Sequence, residues 1–144
     1  MSCWTDPNSL LLNHLLVKRN CSLGLFGREH DCDRRSSGRI LNWLSSSAMA
    51  QARIIHCGDY DPVGLDEYLR LKTACPERAG LYLPADLDDL FSRYGKGEIL
   101  LGSNGAILDR LRKIEDQEVR RIVELMDRHG VGLEQEVLLL SYVR

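Results

Sequence analysis

Apolar positions along this chain form short runs separated by polar breaks, and their spacing switches repeatedly between strand-like and helix-like. Near the start, Asp6-Pro7 or Asn8-Ser9 can open a helix, with Pro7 tolerated in its first turn. Leu10, Leu11, Leu12, Leu15 and Leu16 give that helix a strongly apolar face. Residues 21–26, Cys-Ser-Leu-Gly-Leu-Phe, read as a short strand ended by Gly27, and residues 28–35 as a charged loop. Ser36 and Ser37 are plausible caps for a helix that buries Ile40, Leu41 and Leu44, and Ser45-Ser46-Ser47 ends it.

The middle and end of the chain continue the alternation. Residues 53–57 predict a second strand and 63–72 the next helix. Residues 75–80 form a turn, 81–83 a third strand closed by Pro84, and 86–94 a helix capped by Gly95. Glu98 to Leu101 is short and apolar, a strand or the start of a turn. The clearest helices cover 104–114 and 116–129. In the second of these, Val119, Ile122, Val123 and Met126 recur at helical spacing, and Gly130 stops it. The tail holds Leu133-Glu134-Gln135-Glu136 and then Val137-Leu138-Leu139-Leu140. Strands alternating with helices predict an α/β layer with a mainly parallel sheet.

The length of 144 residues allows one ordinary core, so one domain spanning 1–144 is expected. With 44% hydrophobic and 28% charged residues, the composition is that of a soluble globular protein rather than a disordered or membrane chain. A formal charge of -2 gives no global attraction to nucleic acid, so any such contact needs a local basic surface. The five cysteines are odd in number, widely spaced and without a CxxC pair, which fits reduced thiols in a cytoplasm better than a disulfide framework or zinc ribbon. No apolar run is long enough for a membrane span, and residues 1–7 do not read as a signal peptide.

The candidate chemistry sits at residues 58–65, Gly-Asp-Tyr-Asp-Pro-Val-Gly-Leu, between the predicted strand and helix. Asp59 and Asp61 stand two residues apart at a strand's C-terminal end, where open α/β sheets place ligands. Carboxylate oxygens suit a hard divalent cation. A plainer reading also holds: Asp61-Pro62 is a good helix start by itself, and Gly58 and Gly64 serve turn geometry and close packing.

This motif resembles the G-D-x-D-P-x-G element of Toprim domains, especially those of the topoisomerase VI A subunit and of the nuclease subunit of Wadjet-type plasmid-defence systems. Leu133-Glu134-Gln135-Glu136 resembles the L-E-Q-E element near the C-terminus of the Wadjet-type nucleases. The resemblance implies a Toprim-like, Rossmann-like α/β fold with a mainly parallel sheet flanked by helices. It further implies Mg²⁺, or Mn²⁺, held by Asp59 and Asp61, action on the DNA phosphodiester backbone, and partner subunits in a multi-protein complex. Toprim sites also use a glutamate after an earlier strand. The matching place here is Thr5-Asp6-Pro7-Asn8, so Asp6 is one candidate for proton transfer and Glu29 the other. Either the chain begins inside the family's first strand, lacking an upstream winged-helix domain as well, or its site is degenerate.

Arg28, Arg34 and Arg35 in the mixed-charge loop are candidates for contacting phosphates beside the metal. The histidines His14, His30, His56 and His129 show no paired ligand spacing and read as structural or solvated. The basic residues of 110–128 interleave with acids as on an ordinary exposed helix face. Two functions from different classes therefore follow: a Mg²⁺-dependent DNA-cleaving domain, or a non-catalytic module of the same fold that binds DNA or partner proteins.

Overall fold

The computed structural model describes residues 34–142, with side chains placed for 38–138. The expected helix after residue 8, the strand at 21–26, and Asp6, His14, Arg28, Glu29 and His30 lie outside the described residues, as do the side chains of Arg34 and Arg35. The architecture is mixed α/β: α1 (Arg34–Leu44), β1 (Ile54–His56), α2 (Pro62–Ala74), β2 (Ala79–Leu81), α3 (Leu87–Tyr94), α4 (Ser103–Leu111) and α5 (Gln117–His129). Short 3-10 turns cover Ser47–Met49, Gly97–Leu100 and Gln135–Tyr142. Among the described residues the sheet has two parallel strands, β1 and β2. The chain divides into two compact units. The described part of the first is 34–56 with 71–80, and that of the second is 57–70 with 81–142.

In the first unit, Leu44, Ile54, Leu71, Cys75 and Ala79 make a small core, with Ile40, Leu41 and Met49 against it. This is the face the spacing of α1 anticipates. The helix is described from Arg34, however, so Ser36 and Ser37 lie inside it and do not cap it. The serines after Leu44 do end it: Ser45 and Ser46 hydroxyls turn back to the carbonyls of Asn42 and Trp43. Such side-chain-to-backbone bonds compete with the next helical turn. Strand β2 begins two residues earlier than its apolar run suggests. The Ile54 N–H donates to the Arg78 carbonyl at 2.8 Å, so pairing with β1 starts at the end of the turn rather than at Leu81.

Arg78 holds this unit's loops together. Its guanidinium donates to the carbonyls of Leu44 at 2.6 Å, Met49 at 2.5 Å and Ala52 at 3.2 Å, and reaches Cys75 Sγ at 3.4 Å. A planar fork with five N–H groups satisfies several carbonyls that an ammonium cannot reach together.

The second unit contains the larger core. Tyr60, Leu65, Tyr68, Phe91, Leu111, Ile122, Met126 and Leu133 are among its most deeply buried members. Helix α5 forms as its periodicity predicts: Val119, Ile122, Val123 and Met126 are buried, and Leu125 joins them. Its ends carry the sequence's own signals. The Asp116 carboxylate accepts from the Glu118 and Val119 N–H groups, both at 3.0 Å, a cap that contributes about 1 kcal/mol. Gly130 takes the left-handed conformation at φ 67° that closes the helix. Gly95 behaves differently from a left-handed cap. Its backbone is extended, at φ -65° and ψ 148°. Glycine is needed there because a Cβ would lie 2.1 Å from Val131 Cγ2. Residues 98–101 form neither strand nor plain turn; the 3-10 segment takes their place.

Arg78→Met is expected to lower the unfolding free energy by about 2 kcal/mol, since hydrogen bonds to a charged group are lost and their carbonyl acceptors are left poorly solvated. A urea titration checks this. Arg78→Lys should recover only part of the loss.

Candidate functional site

Asp59, Tyr60 and Asp61 follow β1 and lead into α2. Tyr60 between them is wholly buried, and its hydroxyl donates to the Tyr82 carbonyl at 2.6 Å. Side chains alternate in direction along extended backbone, so a buried tyrosine turns the flanking aspartates away from the core. The backbone of Tyr60 is fixed equally firmly. It exchanges both hydrogen bonds with Leu133, at 2.8 and 2.9 Å, in an isolated antiparallel bridge.

Each aspartate commits one oxygen to the backbone. Asp61 Oδ1 accepts from the Gly64 N–H at 2.6 Å, which caps the first turn of α2 as the plainer reading proposes. Asp59 Oδ1 accepts from the Gln135 N–H at 2.8 Å, across 76 positions of sequence. The second oxygen of each has no hydrogen bond among the described residues. Gly64 permits the close approach of turn and helix: a Cβ there would lie 2.1 Å from the Asp59 carbonyl oxygen. The glycine of the motif is thus required by packing at the site itself.

The electrostatics are those of gathered like charges. Burial pushes the Asp59 carboxyl above its ordinary range; the Gln135 N–H opposes this, while Asp61, Glu136 and Glu134 add to it. Lys96 stands beside the same glutamates, its Nζ 2.6 Å from Glu134 Oε2. Among the described residues no three His, Cys, Asp or Glu side chains converge closely enough to hold a metal ion between them. Asp59 and Asp61 as a pair fit a Mg²⁺ ion in chemistry: that ion takes one or two carboxylates and keeps several waters. Burial and nearby carboxylates oppose the charged form of Asp59, and a bound cation would relieve that opposition.

Other reactive side chains are poorly suited to chemistry. His56 is buried and its pKa is lowered to about 4 by that burial, so it is neutral at physiological pH. Burial raises the Cys57 thiol to about 11, which keeps it protonated and a weak nucleophile. His129 binds Asp88 at 2.7 Å and stacks on Phe91. Of the six basic side chains at 110–128, three are engaged: Arg110 with Asp66, Arg112 with Asp109 and Asp127, Arg128 with Asp88.

Sequence reasoning paired the 58–65 motif with the tail but did not foresee that the tail's backbone would bind Asp59. Nor did it single out Lys96, which stands in no motif, or Glu118, which accepts from the Tyr68 hydroxyl and the Leu81 N–H. A lone lysine before a glycine offers no signal of its own. Scans of the chain against protein-family models, curated proteins and solved structures return no match. Among the described residues, no helix is long and apolar enough to cross a membrane.

Two outcomes are expected. Gly64→Ala should lose about 1–3 kcal/mol through overpacking against the Asp59 carbonyl, read from thermal unfolding. Asp59→Asn should stabilise the fold at neutral pH. The folded-state pKa of Asp59 lies above its unfolded value, so between the two the native chain binds more protons and stability falls as pH rises. The amide keeps an acceptor for Gln135 and removes that slope. Measuring the difference between variant and wild type cancels the contribution of His56, which runs the other way between pH 6.5 and about 4.

Proposed function

We propose that this chain is a Toprim-type domain that cleaves DNA phosphodiester bonds with Mg²⁺ or Mn²⁺, within a multi-protein complex of the plasmid-defence kind. One observation carries the reading. The two elements that carry the Toprim resemblance, residues 58–65 and 133–136, meet through the Tyr60–Leu133 bridge and the Gln135-to-Asp59 hydrogen bond. A helix cap explains Asp61 alone; it does not explain why a second acidic segment is secured to Asp59.

On this reading Asp59 and Asp61 hold the cation through the oxygens that the backbone leaves over. The bound ion supplies polarisation of a phosphoryl oxygen. The Gln135 N–H fixes the Asp59 carboxylate in one orientation, and the Gly64 N–H does the same for Asp61. Tyr60 stays in the core, so it is no nucleophile for a covalent DNA link. Proton transfer falls to Glu29 or Asp6, and phosphate contacts to Arg28, Arg34 and Arg35. A second reading keeps the fold and drops the cutting. It is favoured by the absence of a third carboxylate at bonding range among the described residues. In that case the domain binds DNA or partner subunits only.

The test uses Asp59→Asn, Asp61→Asn and the double variant. Both amides can still accept the backbone hydrogen bonds, so the fold is kept while the negative charge is removed. Mg²⁺ should raise the melting temperature of the wild type and of neither aspartate variant. Nicking of supercoiled plasmid should require Mg²⁺ and fall at least about 100-fold in each variant, the order expected when electrostatic stabilisation of the transition state is lost. Nicking that persists in the double variant rules out the cleavage reading; cation binding without nicking selects the second one.

A further inference from the structure

Lys96 is held at the acidic site by more than a surface ion pair. Its backbone exchanges hydrogen bonds with Gly132, at 2.8 and 3.1 Å, one residue before the Leu133 that pairs with Tyr60. Residues 60, 132–133 and 96 therefore lie on adjoining backbones, with the tail in the middle. Gly132 is itself fitted to this place: a Cβ there would lie 2.6 Å from Ile99 Cγ2. From this position Lys96 Nζ meets Glu134 at 2.6 Å. Glu134 and Glu136 are the same two glutamates whose charges act on Asp59. Glu134 thus ties the lysine to the segment whose Gln135 N–H binds Asp59 at 2.8 Å, and a cation beside these carboxylates favours the approach of a polyanion. Lys96 is one such cation, paired with Glu134 at 2.6 Å.

We infer that Lys96 is a substrate-contacting residue of this site, donating to a non-bridging phosphate oxygen of the DNA strand while Glu134 holds it in place. The inference rests on the reading of the site as DNA-binding. An ammonium has three N–H donors. One serves Glu134, and the side chain is 56% exposed, which leaves the ammonium accessible to a second acceptor. The exposed ion pair itself contributes little to stability. Its value lies in direction: a flexible four-carbon stem is held beside Glu134, next in sequence to the Gln135 that binds Asp59.

The experiment compares the full chain with Lys96→Gln, Lys96→Arg and Glu134→Gln, binding a short DNA duplex over a range of salt, with Ca²⁺ replacing Mg²⁺ so that binding is read without cutting. Loss of one phosphate contact should reduce the slope of log affinity against log salt by about 1 in Lys96→Gln. Lys96→Arg should restore the slope. Glu134→Gln breaks the same ion pair but keeps the cation, so it should retain the wild-type slope. An unchanged slope in Lys96→Gln, or an equal fall in Lys96→Gln and Glu134→Gln, overturns the assignment and leaves the cleavage reading intact. A Lys96-dependent slope in a chain that never nicks DNA upholds the assignment and removes the cleavage reading. Absence of any DNA binding by the wild type overturns both.

Discussion

The pairing of Tyr60 with Leu133 is the constraint on which the candidate site depends. Two backbone hydrogen bonds bind the turn between β1 and α2 to the tail after α5. Both residues are wholly buried, so the pairing is enclosed by apolar surface that excludes competing water. Everything near the aspartates is placed from this pair outward: Gln135 onto Asp59, Gly132 onto Lys96, and Glu134 onto the lysine side chain. The acidic turn is short and irregular, yet it is over-determined by the segments that hold it.

The same arrangement works against the stability of the fold. Partly buried carboxylates are brought beside one another, and Asp59 carries the penalty as a raised proton affinity. A structural role would be served as well by an amide at that position. An acid where burial and like charge oppose it accords with the cation site proposed above. Arg78 provides the contrast in the first unit. There a charged group is engaged by three carbonyls of its own fold, and no function need be invoked.

The sequence made the later helices legible because their own residues decide them. Asp116 caps α5, Gly130 ends it, and the apolar stripe between them is regular. Asp59 and Asp61 were legible for a similar reason: a strand end, two carboxylates and a Pro-started helix are all local. What it left obscure depends on partners remote in sequence. Strand β2 starts at Ala79 because Ile54 pairs with the Arg78 carbonyl, a fact absent from the apolar run 81–83. Gly95 looks like a left-handed cap until Val131 is placed against it. Lys96 is tied to the tail through Gly132 and Glu134, both remote in sequence.

The span between Asp59 and Gln135 has a consequence for the order of events as the chain is made. Closing a loop of 76 positions is an entropic cost that local helices do not bear, so this contact belongs to the late stages of folding. Synthesis proceeds from the N-terminus, and the acidic turn leaves the ribosome well before the tail that orients it. A nascent chain can form α2 and its Asp61 cap while Asp59 still lacks its donor and Lys96 its anchor. Asp61 can thus be oriented early by its own helix, whereas Asp59 gains its orienting donor only after residue 135 has been made.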